Sequence, residues 1–269
     1  MKKYLLLCSI LLLFIGSFSA CGRNNAPQLP QAVILGAPIE RFETAVAFWP
    51  GNEQLQAQIW AGLQVLSAEG VVSSLSHRYL GNSNALSIPP DRAAPLRLDE
   101  IAPRTLVIGI SAEHAPFSFL DENGIAQGLN IALANALCQL FGWELEIVPV
   151  TWSMREFYLN SGNIDALWGA SLTEQVRARL IHTPAFFTSE QVIITMSNSD
   201  ITRLRDLQTA QIGVHEGSLS EYVAYQNIER LGTIMQYDTQ RRLIWALENG
   251  RIAAIILDYH TARYLLTTQ

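Results

Sequence analysis

The chain has 269 residues, with 18 Lys plus Arg against 24 Asp plus Glu and a formal net charge of −6. Its two lysines are Lys2 and Lys3, so everything beyond residue 20 carries 16 Arg, no Lys and 24 acids, a charge of −8. That balance argues against nucleic acid or an anionic membrane surface as partner, and it removes Schiff-base and P-loop lysine chemistry.

Residues 1–20 read as a secretory signal: Lys2 and Lys3 precede an apolar run from Tyr4 to Ile15 and small residues up to Cys21. Phe18 to Cys21 resembles a lipobox, which makes Cys21 the expected lipidation site and 21–29 a tether; plain cleavage without lipid is the alternative. Cys8 leaves with the signal, and Cys138 then stands alone in an apolar run, a small core hydrophobe rather than half of a disulfide. About 249 residues remain, room for one large or two modest domains.

Ala32 to Leu35 is apolar, and Thr44 to Trp49 reads as a short strand. Pro50-Gly51-Asn52 turns into a helix over 53–66 with Leu55, Ile59, Leu63 and Leu66 on one stripe. Gly70 breaks it, and 72–79 makes another helix. Residues 81–103, rich in Asn, Ser and Pro, read as a linker; at 5–6 Å × √n, some twenty flexible residues span about 25 Å. Then strands and helices alternate: strand 105–110, turn 121–124, helix 130–141 closed by Gly142, strand 144–150, helix 154–159, strand 164–169. A second unit follows, with strand 191–195, strand 211–214, and a capping box Ser218-Leu219-Ser220-Glu221 opening a helix through Tyr225. Helix 239–248, strand 252–257 and helix 259–266 complete it. Such alternation predicts βαβ units around a mostly parallel sheet.

The motifs Ala115-Pro116-Phe117, Gly128-Leu129-Asn130, Trp152, Gly162 to Ala166 and Ser171-Leu172-Thr173 stand in the first unit. Gly213-Val214, Gly217-Ser218, Ala246 to Ile252 and Asp258 stand in the second. With Ile34-Leu35-Gly36, Ala45 to Trp49, Leu55 and Gly81 placed after Leu266, the chain resembles the extracytoplasmic solute-binding proteins of polar amino-acid ABC transporters, in circularly permuted order. The resemblance implies a two-lobed α/β fold of type II periplasmic-binding-protein kind, with two hinge strands, Ala45–Trp49 and Gln191–Thr195. One lobe would comprise 46–80 with 104–190, the other 30–45 with 191–269. The competing reading treats 27–103 as an unrelated small domain, which would leave a sheet edge and a helix-packing face bare.

The resemblance further implies a monomer that lies outside the cytoplasmic membrane, anchored by lipid on Cys21, and passes a small polar solute to an ABC transporter permease. Asp258 matches the family's ammonium-binding aspartate, although it could equally cap the helix from Tyr259. Thr173 and Ser218 begin helices, whose free N–H groups suit a carboxylate. Trp152 matches the stacking aromatic, His114 takes the place of its partner, and Phe117, Gly169 and Ser171 complete the expected pocket. The family's carboxylate-clamping arginine falls at Val176; Arg177 is one residue on, about 100° around a helix. Leu219 stands where a hydroxyl is expected, and Ser111 where binders of basic ligands carry an acid, which disfavours lysine or arginine as ligand. Two rivals remain. One is a cyclohexadienyl-acid dehydratase, for which Glu113, His114, His215 and Glu216 could supply acids and bases, although each reads as solvated surface. The other is a sensory module without transport. The five histidines form no HxH or HxxxH pair, so neither metal nor cofactor is expected.

Overall fold

Apolar residues alternate sides along the longest strand, and that alternation determines where the core forms. The structure, a computed structural model, describes residues 31–91 and 101–267. In strand β1 (Ala32–Phe48), Ala45 and Ala47 face one buried cluster while Val46 and Phe48 face another. The same period of two sorts β9 (Phe187–Met196), where Val192 and Ile194 point away from Ile193, and β12 (Ala254–Asp258).

One sheet of nine strands runs through the molecule. The remaining strands are β2 (Thr105–Ile110), β6 (Glu144–Pro149), β7 (Ala166–Ser171), β8 (Ile181–His182), β10 (Gln211–His215) and β11 (Thr233–Tyr237). Their order is β11-β10-β12-β9-β1-β7-β2-β6, with β8 paired to the end of β1. Strands within each half are parallel, β10 to β11 and β12, and β2 to β6 and β7. Between the halves, β1 pairs antiparallel with β9 on one side and β7 on the other. We call the half around β2, β6 and β7 the first lobe and that around β10, β11 and β12 the second.

Helices cover both faces of each half. Helices α1 (Glu53–Ala68), α2 (Val71–Leu80) and α3 (Leu129–Phe141) bury Ile59, Leu63, Leu133 and Leu137 against Ile108 and Phe48. Opposite them, α4 (Arg155–Asn160) and α5 (Glu174–Arg179) bring Leu159 and Val176 onto Leu167. In the second lobe α7 (Gln240–Glu248) and α8 (Tyr259–Thr267) pack on one face, and α6 (Leu219–Gln226) on the other. A small sheet of β3 (Glu113–His114), β4 (Ser118–Leu120) and β5 (Ala126–Gln127) edges the first lobe. Cys138 is buried, and its thiol is pushed up to about 11 by that burial.

One expectation changes, and the competing reading of a separate small domain gives way. Residues 32–35 and 44–49 are not separate strands but one, kinked where the register against β9 shifts between Leu35 and Glu40, with Gly36 at φ +68°. Residues 31–91 also form no domain of their own: β1 is the middle of the sheet, and α1 and α2 pack on α3. Cys8, Cys21, the signal and tether readings, and residues 92–100 of the 81–103 linker lie outside the described residues.

Candidate functional site

The loops that follow β2 and β7 line one side of a gap, and the end of β12 and the first turn of α6 line the other. The gap is a cleft of about 490 Å³. Its first-lobe wall carries Ser111, Glu113, His114, Ser153, Arg155, Trp168, Gly169 and Ser171. Its second-lobe wall carries His215, Glu216, Ser218, Leu219, Asp238 and Asp258, with Gln191 of β9 also on the lining.

Asp258 ends β12 and is 4% exposed. Its Oδ1 accepts from the backbone N–H of His260 (2.8 Å) and Thr261 (3.1 Å), capping α8, while Oδ2 accepts from Ser189 Oγ at 2.7 Å. The cap and cleft readings of this aspartate are therefore compatible, since a carboxylate has lone pairs to spare. Ser220 Oγ donates to Gln191 Oε1 at 2.7 Å, joining the floor into one buried polar run. Across from it, burial pushes the His114 imidazole below its ordinary value against the opposing pull of Asp258, and His260 is displaced the same way for the same reasons. Both rings are neutral at pH 7. His114 leans on Phe117 with centroids 4.9 Å apart.

Ser218 caps α6 by accepting from Glu221 N–H (3.2 Å), but Glu221 reaches back to Gly217 N–H (2.8 Å), one residue earlier than a standard box. The lobes also touch at one edge. Glu113 Oε2 accepts from Gln240 N–H at the start of α7 (2.9 Å) and lies 3.5 Å from His215 Nε2. Trp168 Nε1 and Thr261 Oγ1 are buried without a hydrogen-bond partner among the described residues, and both residues line the cleft. An unpaired buried polar group costs about 1–3 kcal/mol, a cost that these two atoms carry with almost no accessible surface of their own.

Of the expected site residues, His114, Gly169, Ser171, Ser218 and Asp258 come together on this cleft. Three do not reach it. Phe117 sits behind the wall, against Phe187 and His260. Thr173 is buried and spends its hydroxyl on Val176 N–H (3.3 Å). Arg177 faces outward and pairs with Glu43 at 2.5 Å, because Val176 takes the inward position with 0% exposure. The backbone of Trp152 opens the 3-10 turn Trp152–Met154, and its side chain lies outside what is described. Glu113, His215 and Glu216 line the cleft; Glu216 is exposed, as expected of it, while Glu113 and His215 are partly buried. Arg155 was missed altogether: a lone Arg in a short helical segment gives no sign that folding will bury it to 5% exposure on a cleft wall.

Comparison with known proteins bears on the whole. Residues 106–257, more than half of the chain, match the profile of bacterial extracellular solute-binding proteins, family 3. The arginine-binding extracellular protein ArtP of Bacillus subtilis is 28% identical over 123 residues, 45% of this chain and 48% of that protein, so the match spans about half of its length. A mutant of the arginine-binding protein ArgBP from T. maritima superposes with TM-score 0.56 at 27% identity, over 61% of this chain and 72% of its own. An ancestral amino acid-binding protein, a precursor of cyclohexadienyl dehydratase, superposes equally well (TM-score 0.56, 28% identity, 61% and 75%).

Proposed function

The chain belongs to the bacterial extracellular solute-binding proteins, family 3, and from that premise we propose that it captures a small zwitterionic solute outside the cytoplasmic membrane and delivers it to an ABC transporter permease. The observation that carries this reading is the cleft between the lobes, with Asp258 on its floor and polar groups from both walls converging on it. The solute is an amino acid or a close chemical relative. Closure is a hinge motion about β1 and β9, the two strands that cross between lobes. The protein acts as a monomer, held at the membrane by lipid on Cys21.

We read the chain as a circular permutant of its family. The family match begins at residue 106, yet β1, α1 and α2 lie in the midst of the sheet and core that the matched segment builds. That placement supports ancestral termini joined through 81–103.

A thermal-shift screen over the amino acids, small organic acids and amines tests the binding reading. A ligand at 100 times its Kd stabilises by about 2.7 kcal/mol, and a flat response across the screen would overturn it. A second reading, dehydration of a cyclohexadienyl acid, draws on Glu113 facing His215 in the same cleft and on the likeness to the dehydratase precursor. Against it, Glu113 already accepts from Gln240 N–H. Turnover of prephenate or arogenate by purified protein would establish it; none is expected.

A further inference from the structure

Two strands cross between the lobes, and they do so with different lengths of chain. From Leu35↔Ile193 to Glu40↔Gln191, β1 takes five residue steps while β9 takes two, so Gly36, Ala37, Pro38 and Ile39 all stand opposite Val192. An extended residue spans about 3.3 Å, so β1 stores roughly 10 Å of chain that the ladder does not use. Gly36 turns the backbone at φ +68°, with open space where a side chain would begin. Gly36 and Ala37 are exposed, Pro38 has no N–H to offer a neighbouring strand, and none of the four lines the cleft.

The surplus lies between two anchored stretches. Before it, Ala32 and Ile34 pack with Ile194 and Leu257, and Leu35 packs with Ile212 and Ile256, all on the second-lobe side. After it, Thr44 pairs with Ser171 and Ala47 with Leu167, and Glu43 O accepts from Leu172 N–H at 2.8 Å, which ties the strand to the first lobe. Ile39 rests partly buried on the second-lobe cluster and keeps the surplus folded. Strand β9 has no such reserve. Its Gln191 pairs with Asp258 and accepts from Ser220 Oγ, whereas Phe187, four residues earlier, packs in the first-lobe core. One crossing strand is therefore held at fixed length, and the other has chain to release.

We propose that residues 36–39 are a length reserve in the hinge: their bulge draws out toward extended strand as the lobes part, and so sets how wide the cleft opens. The proposal rests on the solute-binding reading and adds the device that limits entry and exit of the solute. It acts on rates and not on the order of ligand preference, since these residues stand away from the cleft lining. A bulge that served only to bend or twist β1 could be shortened without changing the separation of the lobes.

The test measures that separation without ligand. Spin labels on Gln175→Cys of α5 and Gln226→Cys of α6, exposed residues lining the recess between the lobes, report the distance by pulsed electron resonance. Cys8 and Cys21 are replaced by Ser, and Cys138 is buried. One variant lacks Ala37 and Pro38; another carries Gly-Gly inserted between them. A change of two residues preserves the alternation of faces along β1 and alters its reach by at most about 7 Å. The deletion should shorten the mean ligand-free distance by a few ångström, and the insertion should lengthen it. In stopped-flow fluorescence with the common amino acids as probes, association and dissociation should both slow in the deletion, with the order of preference kept. Distances equal to wild type in both variants overturn the proposal, and if the deletion does not fold, the insertion decides alone. If no amino acid binds wild type, the reading underneath fails, whereas the ligand-free distances separately show whether residues 36–39 limit opening.

Discussion

Single residues on the cleft are held by constraints that can be broken one at a time. Gly169 adopts φ +79°, and an added Cβ would stand 2.5 Å from Asn130 Nδ2, a buried side chain in the first turn of α3. Gly169→Ala combines a left-handed backbone with a clash, at a cost of about 1–3 kcal/mol. We expect its Tm to fall by several degrees in differential scanning fluorimetry; an unchanged Tm would show that Asn130 can move aside. His114 and His260 give a second handle. Burial lowers both imidazoles from the ordinary 6.5, so the folded protein keeps them neutral where the unfolded chain has begun to protonate. The unfolded state then binds more protons, and stability falls as pH drops below about 6.5 and levels off above it. The double variant His114→Gln/His260→Gln should flatten Tm between pH 5.5 and 7 relative to wild type; identical slopes would count against this. At this scale the sequence was legible where a residue sits in a recognisable motif, as Asp258 and Ser218 do. It was silent on Arg155, because the burial of a charged side chain depends on what a distant segment, here α6, brings beside it.

Elements were legible where hydrophobic period and end signals agreed. Helix α3 runs from Leu129 to Phe141 and is closed by the αL backbone of Gly142, and α7 is capped by Thr239, which accepts from Arg242 N–H at 3.3 Å. Strand β11 went unseen since its five residues are mostly solvent-facing on the sheet edge and pair with β10 alone. Strands β3 to β5 are too short to show a period. Yet β3 matters, for it carries the Glu113 carboxylate to the N-terminus of α7. Hydrogen bonds to charged groups contribute roughly 1.5–3 kcal/mol when buried, and this partly exposed one about 1 kcal/mol. Glu113→Ala should then shift the closed-to-open ratio about fivefold. Small-angle scattering of the ligand-free variant should give a larger radius of gyration than wild type, and superimposable curves would show that the contact does not hold the lobes.

At the scale of the whole molecule, topology is the feature that chain order most disguises. Strand β1 precedes the family-matched segment by some sixty residues, but its backbone pairs with β9 through Ala32↔Met196 to Thr44↔Phe187 and with β7 through Thr44↔Ser171 to Ala47↔Leu167. Only the fit of Ile34-Leu35 and Ala45 to Trp49 after Leu266 pointed there, and period alone could not have distinguished this strand from an unrelated appendage. Leu265 of α8 packs in the same cluster as Ala32 and Ile34, so the end of the last helix lies near the start of the first strand. The permutation reading then has a direct consequence. A rearranged chain running from residue 101 to 267, through a short Gly/Ser linker, and on from 31 to 91 keeps every sheet register and breaks only the 92–100 connection. Loop-closure cost changes slowly with loop length, about 0.6 kcal/mol per doubling, so the rearranged protein should fold with a Tm within a few degrees of the parent. It should also retain the same ligand preference in calorimetry. Failure to fold, with the same linker tolerated as an insertion between 91 and 101 in the parent order, would mean that the connection through 92–100 is structural rather than a join between old ends.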